Sequence, residues 1–191
     1  MNHRQDAIAL PRRREFLFTT AGIMLSGASV ALLAGRPGLA RAAGEDAAES
    51  DIRILNTALG AEREAVAAYQ VGAESGLLSQ GALSVAVTFQ GHHREHADLI
   101  EKTIGQLGGT PVEPLASYDF PTDKLASEAD VLGFAADLER GAVSAYVGAI
   151  PVFGNRDLSA AAASILADEA MHWAVLRQAL GLDPVPGAFF S

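Results

Sequence analysis

Glu62-Arg63-Glu64-Ala65-Val66-Ala67-Ala68-Tyr69 returns, 77 residues later, as Glu139-Arg140-Gly141-Ala142-Val143-Ser144-Ala145-Tyr146, with six of the eight positions identical. A shift of 76 lays His93 on Glu169, His96 on His172 and Gly105 on Gly181. The chain therefore carries a duplicated unit, and the residues that repeat are ionisable as well as apolar. In each copy a Tyr follows the Glu by seven residues, two helical turns on and nearly on the same face.

Around these segments, Ala, Leu and Glu dominate from Asp51 onward and the Val/Ile/Thr alternation of strands is absent, which predicts helix. Breaks fall at Gly76 with Ser79, across Leu107 to Ser127 with its Pro and Gly, and at Pro151 to Asp157. Helices are expected over 51–75, 79–107, 128–150 and 157–181, each with an inner stripe at spacings of three and four. The stripes run Ile52, Leu55, Leu59, Glu62, Val66, Tyr69, Ala73; then Ala86, Phe89, His93, His96, Ile100, Leu107. The third is Leu132, Ala135, Glu139, Val143, Tyr146, Ile150, and the fourth Leu158, Ala162, Ile165, Glu169, His172, Leu176, Ala179. Short links join helices 1–2 and 3–4, and a link of about twenty residues joins 2–3. The fold class is all-α: an up-down four-helix bundle of two antiparallel hairpins with one long crossover.

Each stripe is interrupted at one level by an ionisable residue where an aliphatic belongs: Glu62, His93 with His96, Glu139, and Glu169 with His172. A buried carboxylate must be neutralised, paired or bound to a cation. One intrusion is ordinary; six halfway along four helices form a candidate metal site. Glu169 and His172 are three residues apart on one helical face, so both can reach one ion. Tyr69 and Tyr146 are candidate hydrogen-bond partners of that site, although a Tyr in such a stripe is more often core with its hydroxyl at the edge. His92 and Glu95 point away from the stripe and read as surface or supporting residues. Arg63 and Arg140 read as exposed ion-pair partners.

One Glu from each odd helix, Glu-x-x-His on the even ones and a long crossover resemble the ferritin-like carboxylate-bridged di-iron bundle, the superfamily of ferritins, bacterioferritins and rubrerythrins. The resemblance covers about 51–181. It implies terminal ligands at Glu62 and Glu139, a bridging ligand at Glu169, nitrogen ligands at His96 and His172, and iron as cofactor, with manganese or zinc as other occupants. His93 departs from the pattern, which has Glu there. An imidazole does not bridge two irons as a carboxylate does, and two divalent cations would face three carboxylates instead of four. A mononuclear or weakened dinuclear site becomes plausible.

The chain of 191 residues has no Cys, which removes disulfides and thiolate ligands, and its net charge of −9 argues against nucleic acid. That charge is uneven. Residues 1–42 carry six Arg against two acids, +4, and residues 43–191 carry eight Lys/Arg against 21 acids, −13. Arg12-Arg13-Arg14-Glu15-Phe16-Leu17-Phe18 precedes the uncharged stretch Thr19 to Gly35 and then Ala40-Arg41-Ala42. A basic start, a modest apolar segment and small residues at the cut are the pattern of an export signal. It resembles a twin-arginine signal, which implies the twin-arginine translocation machinery as partner, a periplasmic or otherwise extracytoplasmic location, and cargo exported folded. The expected organisation is a signal peptide at 1–42, a flexible lead-in at 43–50, the bundle at 51–181 and a tail at 182–191 that packs back on it. The Ala-rich outer faces leave room for a homo-oligomer. Three functions are open at this point: iron-dependent redox chemistry with dioxygen or peroxide, metal sequestration without turnover, and a metal-free stress or interaction bundle.

Overall fold

The computed structural model describes residues 37–190, with side chains from residue 46. The proposed signal segment therefore lies outside the described residues up to Arg36, and a cut after Ala42 would trim the first turns of the first helix. The elements are α1 (Pro37–Glu74), α2 (Gln80–Gln106), α3 (Glu128–Ala149) and α4 (Arg156–Ala179), with single 3₁₀ turns at Thr122–Lys124 and Ile150–Val152. No strand occurs among the described residues, and no helix among them is long and apolar enough to cross a membrane.

Side-chain caps set the helix starts. Ser79 accepts from Ala82 N, Ser127 from Asp130 N and Asn155 from Asp157 N, each satisfying an amide that has no partner within its helix. Positive φ at Gly76, Gly108 and Gly181 marks the ends of α1, α2 and α4. After α2 and α4 the closing bonds match: Gly109 N donates to Ile104 O, as Leu182 N does to Arg177 O. The structural counterpart of Gly181 is thus Gly108. Gly105, its partner under the shift of 76, lies inside α2, because α2 runs one turn further past its His than α4 does.

The first helix corrects another expectation. Residues 43–50, read as a flexible lead-in, are helical, since α1 starts at Pro37. Pro is well placed in a first helical turn and the Ala-rich run behind it has high helix propensity. Just past this stretch, Asp51 is buried and accepts from Gly154 N at 2.8 Å and Asn155 N at 3.0 Å. It thereby anchors the α3–α4 turn to α1.

The crossover is held from the same helix. Asn56 donates to Thr110 O at 3.1 Å and accepts from Val112 N at 2.7 Å, and Arg63 donates to Val112 O. Arg63 also pairs with Glu101 at 2.7 Å. At the far end Glu128 accepts from Ser79 N, so α3 starts beside the start of α2 and the crossover spans the bundle. Within it Tyr118 stacks on Phe120, which meets Phe134 of α3 edge-on. In the tail Phe190 meets Trp173 edge-on at 5.6 Å, whereas Phe189 stays exposed.

The core is split in two. Leu55, Leu59, Ile100, Ile104, Leu158 and Ile165 fill one end; Tyr69, Ala86, Phe89, Leu132, Ala136 and Leu176 fill the other. Of the stripe residues, Ala179 turns out exposed. Ile104 is fully buried at the end of α2. Ile104→Ala is expected to cost about 2–5 kcal/mol in urea unfolding, through lost burial and the cavity left behind, with metal content unchanged.

Candidate metal centre

Between the two apolar clusters lies a polar layer. Glu62 comes from α1, His93 and His96 from α2, Glu139 from α3, Glu169 and His172 from α4. All six side chains are buried except His96, which is 13 % exposed. The six residues singled out in the sequence are thus brought together. Glu62, His93, His96 and Glu169 form one group whose ligand atoms lie within 4.8 Å of one another; His93, Glu139, Glu169 and His172 form a second. His93 and Glu169 belong to both, as facing positions in a duplicated unit should.

His93 fills the middle. Its Nδ1 lies 2.8 Å from Glu62 Oε2 and its Nε2 3.3 Å from Glu139 Oε1. Each ring nitrogen faces a different half of the site. Elsewhere the polar atoms approach without bonding. His96 Nδ1 is 3.0 Å from Glu169 Oε1, and His172 Nδ1 is 3.4 Å from Glu139 Oε1. Yet His96 Nδ1, His172 Nδ1, Glu139 Oε2 and both Glu169 oxygens have no hydrogen-bond partner. Buried polar atoms rarely stand so. Nitrogen and carboxylate oxygen gathered within 4.8 Å of one another, several of them without a hydrogen-bond partner, fit the coordination of a divalent cation. The donor set suits iron, manganese or zinc.

The protonation pattern carries the same message. Burial opposes charge on the imidazoles, but the hydrogen bonds of His93 to Glu62 and Glu139, and the carboxylates close to all three rings, outweigh it. His93 rises to about 10, and His96 and His172 to about 9. Burial likewise opposes charge on Glu62 and Glu139, and hydrogen bonds to the imidazoles overcome it, holding both carboxyls below their ordinary range. Three imidazolium groups then balance three carboxylates. Protons occupy the place that a cation would take.

The tyrosines sit deeper than the commoner reading allows. Tyr69 donates to Glu139 Oε1, and Tyr146 donates to Glu62 Oε1 at 2.6 Å. Each repeat's Tyr thus holds the other repeat's Glu. Burial, then the nearby carboxylates, push both phenols well above their usual pKa, so they remain donors.

Of two supporting residues, Asp168 was not singled out in the sequence and His92 was read as either surface or supporting. Asp168 Oδ2 lies 3.1 Å from His92 Nδ1, 3.4 Å from His96 Nε2 and 3.3 Å from His172 Nε2. His92 Nδ1 is 2.8 Å from His172 Nε2, so this residue turns inward, whereas Glu95 is exposed. The signal was present in the repeat, because the shift of 76 lays His92 on Asp168. A carboxylate on the outer nitrogen fixes an imidazole's tautomer and ring orientation. Phe89 stacks on His172 at 3.9 Å between centroids and fixes its plane. Asp168→Ala is expected to weaken metal binding about 10- to 100-fold, measured by competition with a chromogenic chelator, with the helical circular dichroism unchanged.

The sequence profile of the ferritin-like domain family matches residues 50–182. Among solved structures, a conserved hypothetical protein from Mycobacterium tuberculosis superposes with TM-score 0.65 at 22 % identity, covering 75 % of this chain and 99 % of that one. A ferritin-like, diiron-carboxylate protein from Bacillus anthracis superposes with TM-score 0.61 at 22 % identity, covering 70 % of this chain and 97 % of that one. A search of curated proteins returns no match.

Proposed function

The chain belongs to the ferritin-like domain family, and on that footing we propose that it is an exported iron protein with redox chemistry toward dioxygen or peroxide in the cell envelope. The observation that carries the metal-binding part is the set of five buried polar atoms without hydrogen-bond partners, converging from three helices. Glu62, His93, His96, Glu139, Glu169 and His172 supply two overlapping groups of four ligands, either of which would hold the metal. Iron there would supply one-electron exchange with a small oxidant.

The protein's own part is to hold the ligands still and keep water out. Tyr69 and Tyr146 fix the two terminal carboxylates, Asp168 and His92 fix the imidazoles, and the apolar clusters on both sides seal the layer. Charge favours one divalent ion. Such an ion displaces two imidazole protons, and with the third imidazolium it leaves the three carboxylates balanced. Two divalent ions would leave the layer with an uncompensated positive charge, which a buried site resists. Export rests on residues 12–42 alone, with Arg13-Arg14 ahead of Phe16-Leu17.

The redox reading is tested by loading the purified chain anaerobically with ferrous iron, removing unbound metal and adding dioxygen or peroxide. Oxidation faster than that of free ferrous iron, followed by ultraviolet absorbance, is the expected result. Bound iron that oxidises no faster than free iron would favour sequestration instead.

A further inference from the structure

The buried layer has an outer edge that its own six ligands do not explain. On α2 and α4 the ligand pairs His93/His96 and Glu169/His172 are each preceded by one further ionisable residue, His92 and Asp168. These two residues meet across the seam between α2 and α4. His92 Nδ1 lies 2.8 Å from His172 Nε2 and 3.1 Å from Asp168 Oδ2, and Asp168 Oδ2 lies 3.3 Å from His172 Nε2. The three residues form a group of metal-ligating type beside the two inside the layer.

The edges of that triangle have the size that one shared ion imposes. Donors about 2.1 Å from an ion stand roughly 3.0 Å apart at right angles and roughly 3.4 Å apart at the tetrahedral angle. Two imidazole nitrogens and one carboxylate oxygen on one face, with further positions open to water, make a donor set for ferrous iron or zinc. Exposure falls along the group, from 39 % at His92 through 23 % at Asp168 to 2 % at His172. The group therefore reaches from solvent to an imidazole whose other nitrogen, Nδ1, faces Glu139 at 3.4 Å inside the layer.

A neutral imidazole has one free lone pair. His172 thus binds an ion through Nε2 or through Nδ1, and not through both at once. With Nε2 engaged outside, the layer keeps the group of Glu62, His93, His96 and Glu169, which does not use His172. The outer group offers one carboxylate, partly in water, whereas each inner group offers two that are buried. Attraction to a cation is stronger inside, so the outer ion is the labile one and the inner ion the retained one. Once the outer ion has moved inward, a proton returns to Nε2 and Asp168 holds it there.

We propose that His92, Asp168 and His172 bind a divalent transition-metal ion at the solvent edge of the α2–α4 seam, and that the buried layer is loaded through this position. The proposal rests on the layer being a metal site, and its test separates the two.

The test is zinc binding by the full chain, in equilibrium dialysis, where a labile ion is counted, and after gel filtration, where it is not. Wild type is expected to hold one more ion per chain in dialysis than after filtration. His92→Ala and, separately, Asp168→Asn are expected to weaken that extra ion about tenfold or more. Asn keeps an oxygen that can accept from the His172 Nε2–H, so a role confined to holding the imidazole would leave the extra ion in place. In rapid mixing with a zinc-loaded indicator, His92→Ala is expected to slow the filling of the retained site by a similar factor, with the helical circular dichroism unchanged. Glu95→Gln, exposed on α2, is expected to match wild type in both readings. A retained ion with no extra ion in wild type overturns this proposal alone. So does a folded His92→Ala chain that keeps the extra ion or fills at the wild-type rate. A wild-type chain with no retained ion defeats the metal reading of the layer, and the loading role with it.

Discussion

His93→Glu is expected to raise the metal capacity of the chain from one tightly held divalent ion to two. The substitution returns a carboxylate to the position that both ligand groups share, and four carboxylates balance two divalent cations with neutral imidazoles around them. The same change removes the imidazolium that now lies between Glu62 and Glu139. The metal-free variant then holds four buried acids against two imidazolium groups, and an uncompensated buried charge costs about 3–5 kcal/mol. The metal-free variant should accordingly melt well below the metal-free wild type, while the loaded variant recovers. Elemental analysis and scanning calorimetry of both forms check the two halves together. A variant that still saturates at one ion, with an unchanged melting temperature without metal, would remove His93 from the centre of the account.

The second large effect is on protons. His93, His96 and His172 have folded pKa values near 10, 9 and 9, above the ordinary value of about 6.5. Their contribution to the stability of the metal-free protein is complete below about pH 6.5 and is lost as pH rises through 9 to 10. Glu62 and Glu139 are shifted the other way, so their contribution is present above about pH 4.5 and lost on acidification. The melting temperature of the metal-free chain should therefore be highest between about pH 5 and 6.5 and fall toward pH 10. Metal binding must displace the protons, since each ligand group contains two imidazoles. Loading one ion at pH 7.5 is expected to release about two protons per chain, read with an indicator dye in weak buffer. Affinity should rise with pH up to about 9. Release of no protons would mean that the imidazoles bind metal weakly or not at all.

Much of this was legible in the residues themselves. The helix breaks at Gly76, Pro151 and the Leu107–Ser127 stretch stand where the sequence puts them, because Gly, Pro and capping Ser act locally. The six site residues were legible because they violate the apolar stripe, and a violation repeated on four helices has few innocent explanations. What was missed depends on tertiary partners. Asp51 reads as an ordinary surface acid until the α3–α4 turn is placed over it. Asp168 and His92 lie beside the stripe, and only the meeting of α2 with α4 brings them onto the imidazoles. The two Tyr could not be assigned from one helix, since each bonds to the Glu of the opposite repeat. Gly105 was matched to Gly181 by a constant shift, which the longer α2 does not keep.

The central claim is that the polar layer is a metal site, and metal content tests it most directly. The chain is loaded anaerobically with ferrous iron, and in parallel with manganese and zinc, freed of unbound metal and measured by elemental analysis beside Glu169→Ala/His172→Ala. The account predicts about one ion per folded wild-type chain and near-complete loss in the variant, with matching circular dichroism. Wild-type protein that retains only a trace of every metal offered, or a folded variant that binds as much as wild type, would contradict it.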